Sequence, residues 1–327
     1  MSTTVPASPT TPGVEAALAA AVRAPSPHNT QPWRFRVHAG RIDVWLDPGR
    51  VLPVCDPDAR EALLACGAAI LNMRLSIADA GRTPLVELLP DREQPLLLAT
   101  IRPGRVRRPG PEDTRLAAAI PRRHTNRRPF LDRRVPLHLR HALRRAAVAE
   151  GARLVLLDQP GQLEAFAALL RRSEHLQFED PAFRAELAAW TRDGAAVDGV
   201  PRTAGGPRAL DGGVLALRDY GERDSAVERR FERDPLVAVL QAPGDTRLAR
   251  LRAGQAMQRV LLTATAHGLS ASFLAQPVEV PAGRAVLKAM LGEHEHPQAV
   301  LRLGYGFPGA ATPRRPVHAV VEALPQR

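Results

Sequence analysis

The chain has 327 residues, 45% hydrophobic and 24% charged, with a formal net charge of +11; this is enough apolar material for one large core or two coupled ones. The basic balance does not specify a nucleic-acid partner, because Lys288 is the only lysine, the arginines are dispersed among Asp, Glu, Pro and Ala, and aromatics reach only 4%, too few for a stacking surface. No uninterrupted apolar run approaches the ~20 residues of a membrane span and no basic start leads into an export signal; Cys55 and Cys66 lack a ligand cluster, so the expectation is a cytoplasmic globular chain with two free thiols.

In chain order, residues 1–13 carry almost nothing apolar and read as a disordered tail. The stretch Pro25-Ser26-Pro27-His28-Asn29-Thr30-Gln31-Pro32-Trp33 then concentrates turn formers, two amides and an aromatic. Stiff prolines beside hydrogen-bonding side chains suit a polar recognition loop, and equally a turn leading into a strand whose Asn29 and Gln31 satisfy only local backbone. Residues 33–37 and 42–46 alternate apolar and polar positions and predict a hairpin. Asp58 and Glu61 are spaced as a capping box, Leu63, Cys66, Ile70, Met73 and Ile77 recur at helical spacing, Gly81 supplies the stop, and a strand is expected at 85–89.

Further on, Arg122-Arg123-His124-Thr125-Asn126-Arg127-Arg128-Pro129-Phe130 offers guanidinium forks and a hydroxyl, the chemistry of an anion clamp, although a solvated basic turn has the same composition. A helix is expected at 139–148 and a strand at 153–157. After Asp180-Pro181, an amphipathic segment with Phe183, Leu187 and Trp190 on one side runs into a Gly/Pro/Asp-rich stretch at 191–211, suiting either a lid or a plain surface excursion. A second long helix over 253–268 and a strand over 270–274 follow. His294-Glu295-His296 lacks HExxH spacing, Gly304-Tyr305-Gly306-Phe307-Pro308-Gly309 is a GxGxxG interrupted by proline with too little chain after it, and no GxSxG elbow is present. Pro313-Arg314-Arg315-Pro316 is a second short, stiff basic segment, able to complete a phosphate site if it folds near Arg123.

Gly67, Ala69, Leu75 and Gly81 recur 187 positions later as Gly254, Ala256, Leu262 and Gly268, each set followed by an apolar strand candidate; an internal duplication follows as an expectation. The first strands of the two halves are only about 120 residues apart, which places ~65 extra residues in the second half, expected within 170–235.

Together, PSPHNTQPW, RRHTNRRPF, AGQAMQRVLLTATAHGLSASFLAQPVE and VLRLGYG resemble the nitroreductase-like flavoprotein family, most closely its mycobacterial Acg-like branch, over residues 14–321. The resemblance implies an α+β, nitroreductase-like fold, internally duplicated into a single-chain pseudo-dimer with halves 14–120 and 121–327 and a lid-like insertion at about 170–235. It implies one FMN site per chain, the second pseudo-site being empty. Pro25, Ser26, Pro27 and Asn29 would approach the isoalloxazine ring. Arg123, Thr125 and Arg127 would contact phosphate or the ring's pyrimidine edge, with Thr125 replacing the usual serine and either Arg127 or Arg128 facing the ring. Ala275 and Gln276 would lie near flavin N5, with Ala275 standing where a glutamate is often found, and Arg314 or Arg315 would finish the phosphate clamp. The implied function is an FMN-dependent NAD(P)H oxidoreductase passing hydride through flavin N5 to a nitroaromatic or quinone, with no catalytic side chain and no metal; the alternative is a non-catalytic FMN-binding or flavin-sequestering protein under a lid. The expected partners include neither nucleic acid nor membrane, and the chain is expected as a monomeric pseudo-dimer or a homodimer.

Overall fold

The computed structural model describes residues 12–159, 161–194, 196–205, 215, 218, 220, 232–307 and 312–322. Of the expected tail, only Pro12 and Gly13 are among them, and they open helix α1 (Pro12–Ala21); residues 1–11 lie outside the described residues, as do 206–211 at the end of the Gly/Pro/Asp-rich stretch.

The hairpin forms as β1 (Trp33–His38) and β2 (Arg41–Leu46). Helix α2 (Arg60–Asp79) follows, but not through the expected capping box. Ala59 adopts a left-handed conformation (φ 52°) ahead of the first turn, and the Asp56 carboxylate, rather than Asp58, accepts from the N–H groups of Glu61 (3.0 Å) and Ala62 (2.8 Å). The helix ends two residues before Gly81, whose positive φ (75°) carries the chain into β3 (Arg82–Leu88) and then β4 (Leu97–Val106). These strands form an antiparallel sheet in the order β1-β2-β4-β3, closed at its outer edge by β11 (Val321–Glu322), which pairs parallel to β1 from the far end of the chain.

Helices α3 (Pro111–Ala119) and α4 (Leu137–Val148) lead to β5 (Arg153–Leu156). An excursion follows, made of α5 (Gln162–Glu179), α6 (Pro181–Ala189), β6 (Thr191–Arg192) and β7 (Val200–Pro201). Its second helix matches the expected amphipathic segment: Asp180 caps it through the Ala182 N–H (2.8 Å), and Phe183 and Leu187 are buried. The chain then enters β8 (Leu236–Ala242), α7 (Arg247–Ala266), β9 (Ser270–Phe273), the short α8 (Gln276–Glu279), α9 (Pro281–Met290) and β10 (His296–Gly304). The second sheet runs β5-β8-β10-β9, all antiparallel. Each sheet is thus traversed the same way, with a long helix linking its second and third strands in chain order. The excursion from 157 to 235 occupies the place of the two-residue turn between β1 and β2, so the extra chain begins earlier than 170.

Both sheets share one hydrophobic core with α2 and α7. Helix α2 is long and apolar enough to cross a membrane by length and composition, but 83% of its apolar window is buried inside the protein, as a core helix is. The two helices cross without side-chain volume between them: a Cβ on Gly67 would come within 2.2 Å of the Leu251 carbonyl oxygen, and one on Gly254 within 2.1 Å of the Leu64 carbonyl oxygen. Buried amides stitch the same seam, Gln258 Nε2 donating to Asn72 Oδ1 (2.8 Å). Alanine at Gly254 gains about 1 kcal/mol of helix propensity, but overpacking against a backbone carbonyl costs about 3 kcal/mol. Gly254→Ala is therefore expected to lower the urea midpoint by the equivalent of roughly 2 kcal/mol; an unchanged midpoint would contradict so close a crossing.

Candidate functional site

The loop at 25–31 is held in a costly backbone shape. His28, Asn29 and Gln31 all have positive φ (46°, 58° and 53°), each disfavoured for a residue with a side chain. The loop's own amides and hydroxyl sustain it. Ser26 Oγ accepts from the Gln31 N–H (2.9 Å), Asn29 Nδ2 donates to the carbonyls of Gly199 (2.9 Å) and Pro313 (3.0 Å), and Gln31 donates to Val197 O and accepts from the Arg315 N–H (both 2.9 Å). The two amides therefore fasten three distant segments together rather than satisfying only local backbone, and buried Asn29 Oδ1 has no partner among the described residues.

Segment 122–130 runs across the end of the second sheet. The Asn126 N–H donates to Ala271 O (2.8 Å), and its side chain donates to Ser270 Oγ and Phe307 O. Beneath it lies a buried ion pair: Glu232 pairs with the Arg302 guanidinium and accepts from the Phe130 N–H (2.9 Å), Arg302 donates to Arg128 O (2.9 Å), and its guanidinium lies 3.8 Å from the centre of the Phe130 ring. Of the two arginines that could face inward, Arg127 lines the cavity described next and Arg128 does not.

The loop and this segment meet across a recess with about 750 Å³ of empty space, its mouth included. Pro25, Ser26, Pro27 and Asn29 line it from one side, Thr125, Arg127 and Ala275 from the other, and Arg314 from the C-terminal segment, while Leu64, Ala65, Met257 and Phe273 supply an apolar wall. The second sheet, through Phe273 and Ala299, and both central helices thus contribute, which is why the site falls at the helix seam.

Arg123 and Arg314 form the most unusual electrostatic feature. Burial pulls the Arg314 guanidinium down to about 9, with repulsion from Arg123 and Arg23 adding to it, and burial pulls Arg123 down to about 10. Neither meets a carboxylate among the described residues, and the Nε atom of each is buried without a partner. Adjacent buried cations lacking a counter-charge are costly, and a bound anion would relieve them. Arg315 is directed elsewhere: its side chain donates to Ala319 O (2.5 Å), and its charged neighbours are Arg50, Asp47, Asp198 and Arg34. Buried Gln276 lines an adjoining recess, with its amide donating to Glu174 (2.7 Å).

Among the cavity residues that the sequence did not mark as site residues are His28, Glu61, Arg218, Tyr220 and Glu279. Glu279 ends α8, four residues after its N-cap Ala275. The Glu279–Arg218 pair is buried, with Gln177 hydrogen-bonded to both partners. Burial alone would raise the Glu279 carboxyl, but Arg218 overrides it and holds it below its ordinary range. Glu61, enclosed and close to Glu279 and Asp56, is pushed the other way, upward, chiefly by burial. Burial, reinforced by Arg218, pushes the His28 imidazole down to about 3, so it is neutral at physiological pH. Arg218 and Tyr220 have no local sequence signal, because only tertiary folding brings that segment over the cavity.

The excursion is fastened to the loop side. Glu186 accepts from the N–H groups of Val54 (3.0 Å) and Cys55 (2.8 Å), Asp198 pairs with Arg50 (3.0 Å), and the Arg127 guanidinium lies 4.8 Å from the centre of the Tyr220 ring.

No family model matches the chain. Full-length relatives do: the Mycobacterium tuberculosis H37Rv protein "Putative NAD(P)H nitroreductase Rv3131" is 36% identical over 316 residues, spanning 94% of this chain and 91% of the relative. The chain belongs to the nitroreductase-like flavoprotein family. A second family member from the same strain, "Putative NAD(P)H nitroreductase acg", is 34% identical over 95% of this chain and 96% of its own length. Among solved structures, a nitroreductase with bound FMN from Bacteroides fragilis NCTC 9343 is 15% identical, with a TM-score of 0.40, covering 64% of this chain and 98% of its own.

In this nitroreductase-like chain, segment 125–130 depends on Glu232 keeping its charge beneath Arg302. Removing one partner of a buried pair typically costs about 3–5 kcal/mol. Glu232→Gln is expected to lose that order of stability in chemical denaturation, whereas a loss below about 1 kcal/mol would assign the pair no structural weight.

Proposed function

We propose that the chain is an FMN-dependent NAD(P)H oxidoreductase built as a single-chain pseudo-dimer, with halves 14–120 and 121–327, one flavin site at their seam and a cytoplasmic workplace. The observation carrying this reading is Arg314 at the edge of a cavity with an apolar wall, with buried Arg123 close enough to repel it and no carboxylate on either among the described residues. A flat, apolar ring bearing an anionic tail suits those features, and the unpartnered Asn29 Oδ1 and Arg Nε atoms supply unused hydrogen-bonding capacity toward it. The repeated strand order and the recurrence of Gly67 at Gly254 support the pseudo-dimer.

FMN, when bound, supplies the ability to accept hydride from NAD(P)H and pass it to a nitro compound or quinone. The residues of the chain orient it and balance its charge. Arg123 and Arg314 would neutralise the phosphate, Thr125 and Arg127 would offer donors to the phosphate or the ring's pyrimidine edge, and Pro25, Ser26, Pro27 and Asn29 would form a stiff surface for the ring. The backbone at Ala275 and Gln276 would face the hydride-carrying edge. Arg315 supports this arrangement from outside the cavity by tying its backbone N–H to Gln31.

A specific observation also favours the non-catalytic, flavin-sequestering reading: Arg218 and Tyr220 reach into the cavity wall from the excursion, and Arg218 is locked to Glu279. A lid held in this way would exclude donor and acceptor alike. Anaerobic mixing of flavin-loaded protein with NADH and NADPH separates the two. The oxidoreductase reading expects bleaching by at least one donor and repeated turnover once a quinone is added; a flavin that stays oxidised with both would leave sequestration in its place. Glu186→Ala, which frees the excursion from the 54–55 backbone, is then expected to permit bleaching.

The phosphate assignment has its own measurement. Hydrogen bonds to a charged group contribute about 1.5–3 kcal/mol, so Arg314→Met is expected to weaken FMN binding roughly 10–150-fold in a fluorescence titration while leaving riboflavin binding nearly unchanged. Equal losses for both flavins would place the phosphate elsewhere.

A further inference from the structure

One cluster in the cavity wall has no role in that reading and does not depend on it. His28 Nε2 and Cys55 Sγ lie 4.0 Å apart, and a Glu279 oxygen completes a set of three ligand atoms all within 4.8 Å of one another. They come from three separate places in the chain: the 27–29 turn, the backbone just before α2, and the end of α8. Imidazole nitrogen, thiolate sulfur and carboxylate oxygen are the ligand types of zinc, whose bonds of about 2.0–2.3 Å bring such atoms together after shifts of roughly 1 Å.

The geometry points to a Zn²⁺ site formed by His28, Cys55 and Glu279, in direct competition with Arg218. A cation already stands there: Arg218 Nη1 is 3.4 Å from His28 Nε2 and 3.0 Å from a Glu279 oxygen. Within the cluster the charge is unchanged: Arg218 with Glu279 and neutral Cys55 sums to zero, and Zn²⁺ with the Cys55 thiolate and Glu279 also sums to zero, the thiol proton leaving to solvent and the Arg218 guanidinium swinging out of the cluster. A second recess, with about 610 Å³ of empty space including its mouth, reaches Cys55 and Glu279 and is not lined by Arg218. Asp56, Asp58 and Glu61 stand along it with Arg60 and Arg284, so an ion has a route with oxygen ligands on the way. This zinc state differs from the metal-free expectation of the sequence because Cys55, His28 and Glu279 are up to 251 residues apart in the chain.

Equilibrium dialysis of the full-length protein against Zn²⁺, with and without added FMN and with metal quantified per chain, tests it. Wild type is expected to retain one Zn²⁺, Cys55→Ser to lose it, and Arg218→Ala to bind at least about fivefold more tightly, the lower end of ordinary coupling between sites. Wild type and Arg218→Ala both free of zinc would overturn the proposal, as would Cys55→Ser carrying as much zinc as wild type, which would assign the metal to other histidines. Thermal melting checks that each variant is folded, and His28→Gln replaces Cys55→Ser as the reporting variant if the latter does not fold.

Discussion

The close crossing of α2 and α7 is the constraint on which the remaining architecture rests. With Gly67 against the Leu251 carbonyl and Gly254 against that of Leu64, the helix backbones are nearly in contact, and dispersion and buried amide bonds act where bulky side chains would otherwise intervene. Each helix brings its own sheet with it, so the crossing sets the distance between the two sheets. The cavity opens beside this seam: Leu64 and Ala65 enter it from α2 and Met257 from α7, within a few residues of the two glycines. Stability and site geometry are therefore coupled through the same few backbone atoms.

Around that seam, charge is distributed in two contrasting ways. Buried Arg123 and half-buried Arg314 meet no carboxylate among the described residues, an arrangement that suits an anionic ligand because its own electrostatics are unfavourable when it stands alone. Arg218 and Glu279, side by side under the excursion, neutralise one another. One end of the cavity is thus prepared for a bound group, whereas the side under the excursion is closed by internal contacts. The strained 25–31 loop links the two regions, since Asn29 holds both the C-terminal segment that carries Arg314 and the excursion at Gly199.

The excursion shows how one strand order accommodates connections of very different length. In the first half, two residues connect β1 and β2; in the second, the chain leaves for 79 residues between β5 and β8 before resuming the same strand order. Nothing in the core is disturbed, because both strand ends lie at the same edge of the sheet, where a connection of any length is tolerated at a cost that grows only slowly with its length.

Local pattern was sufficient wherever a single segment carried its own signal. Alternation revealed the first hairpin, helical spacing revealed the first long helix, and the recurrence of Gly67 at Gly254 pointed to the second long helix. The signal was weaker at Leu236–Ala242, buried along its whole length, since a continuous apolar run has no period to read, and at the start of α2, where Asp56 rather than Asp58 supplies the cap because of one left-handed residue. The loop and arginine segments around the cavity could be named as ligand-facing or as ordinary turns, and sequence alone left both readings open. Only tertiary structure decided that Arg123 lies beside Arg314, that Arg315 turns away, and that His28, Cys55, Arg218 and Glu279 meet. The physical reason is that patterning records whether a residue is buried against its neighbours in the chain, whereas charge compensation depends on which distant residues fill the remaining space.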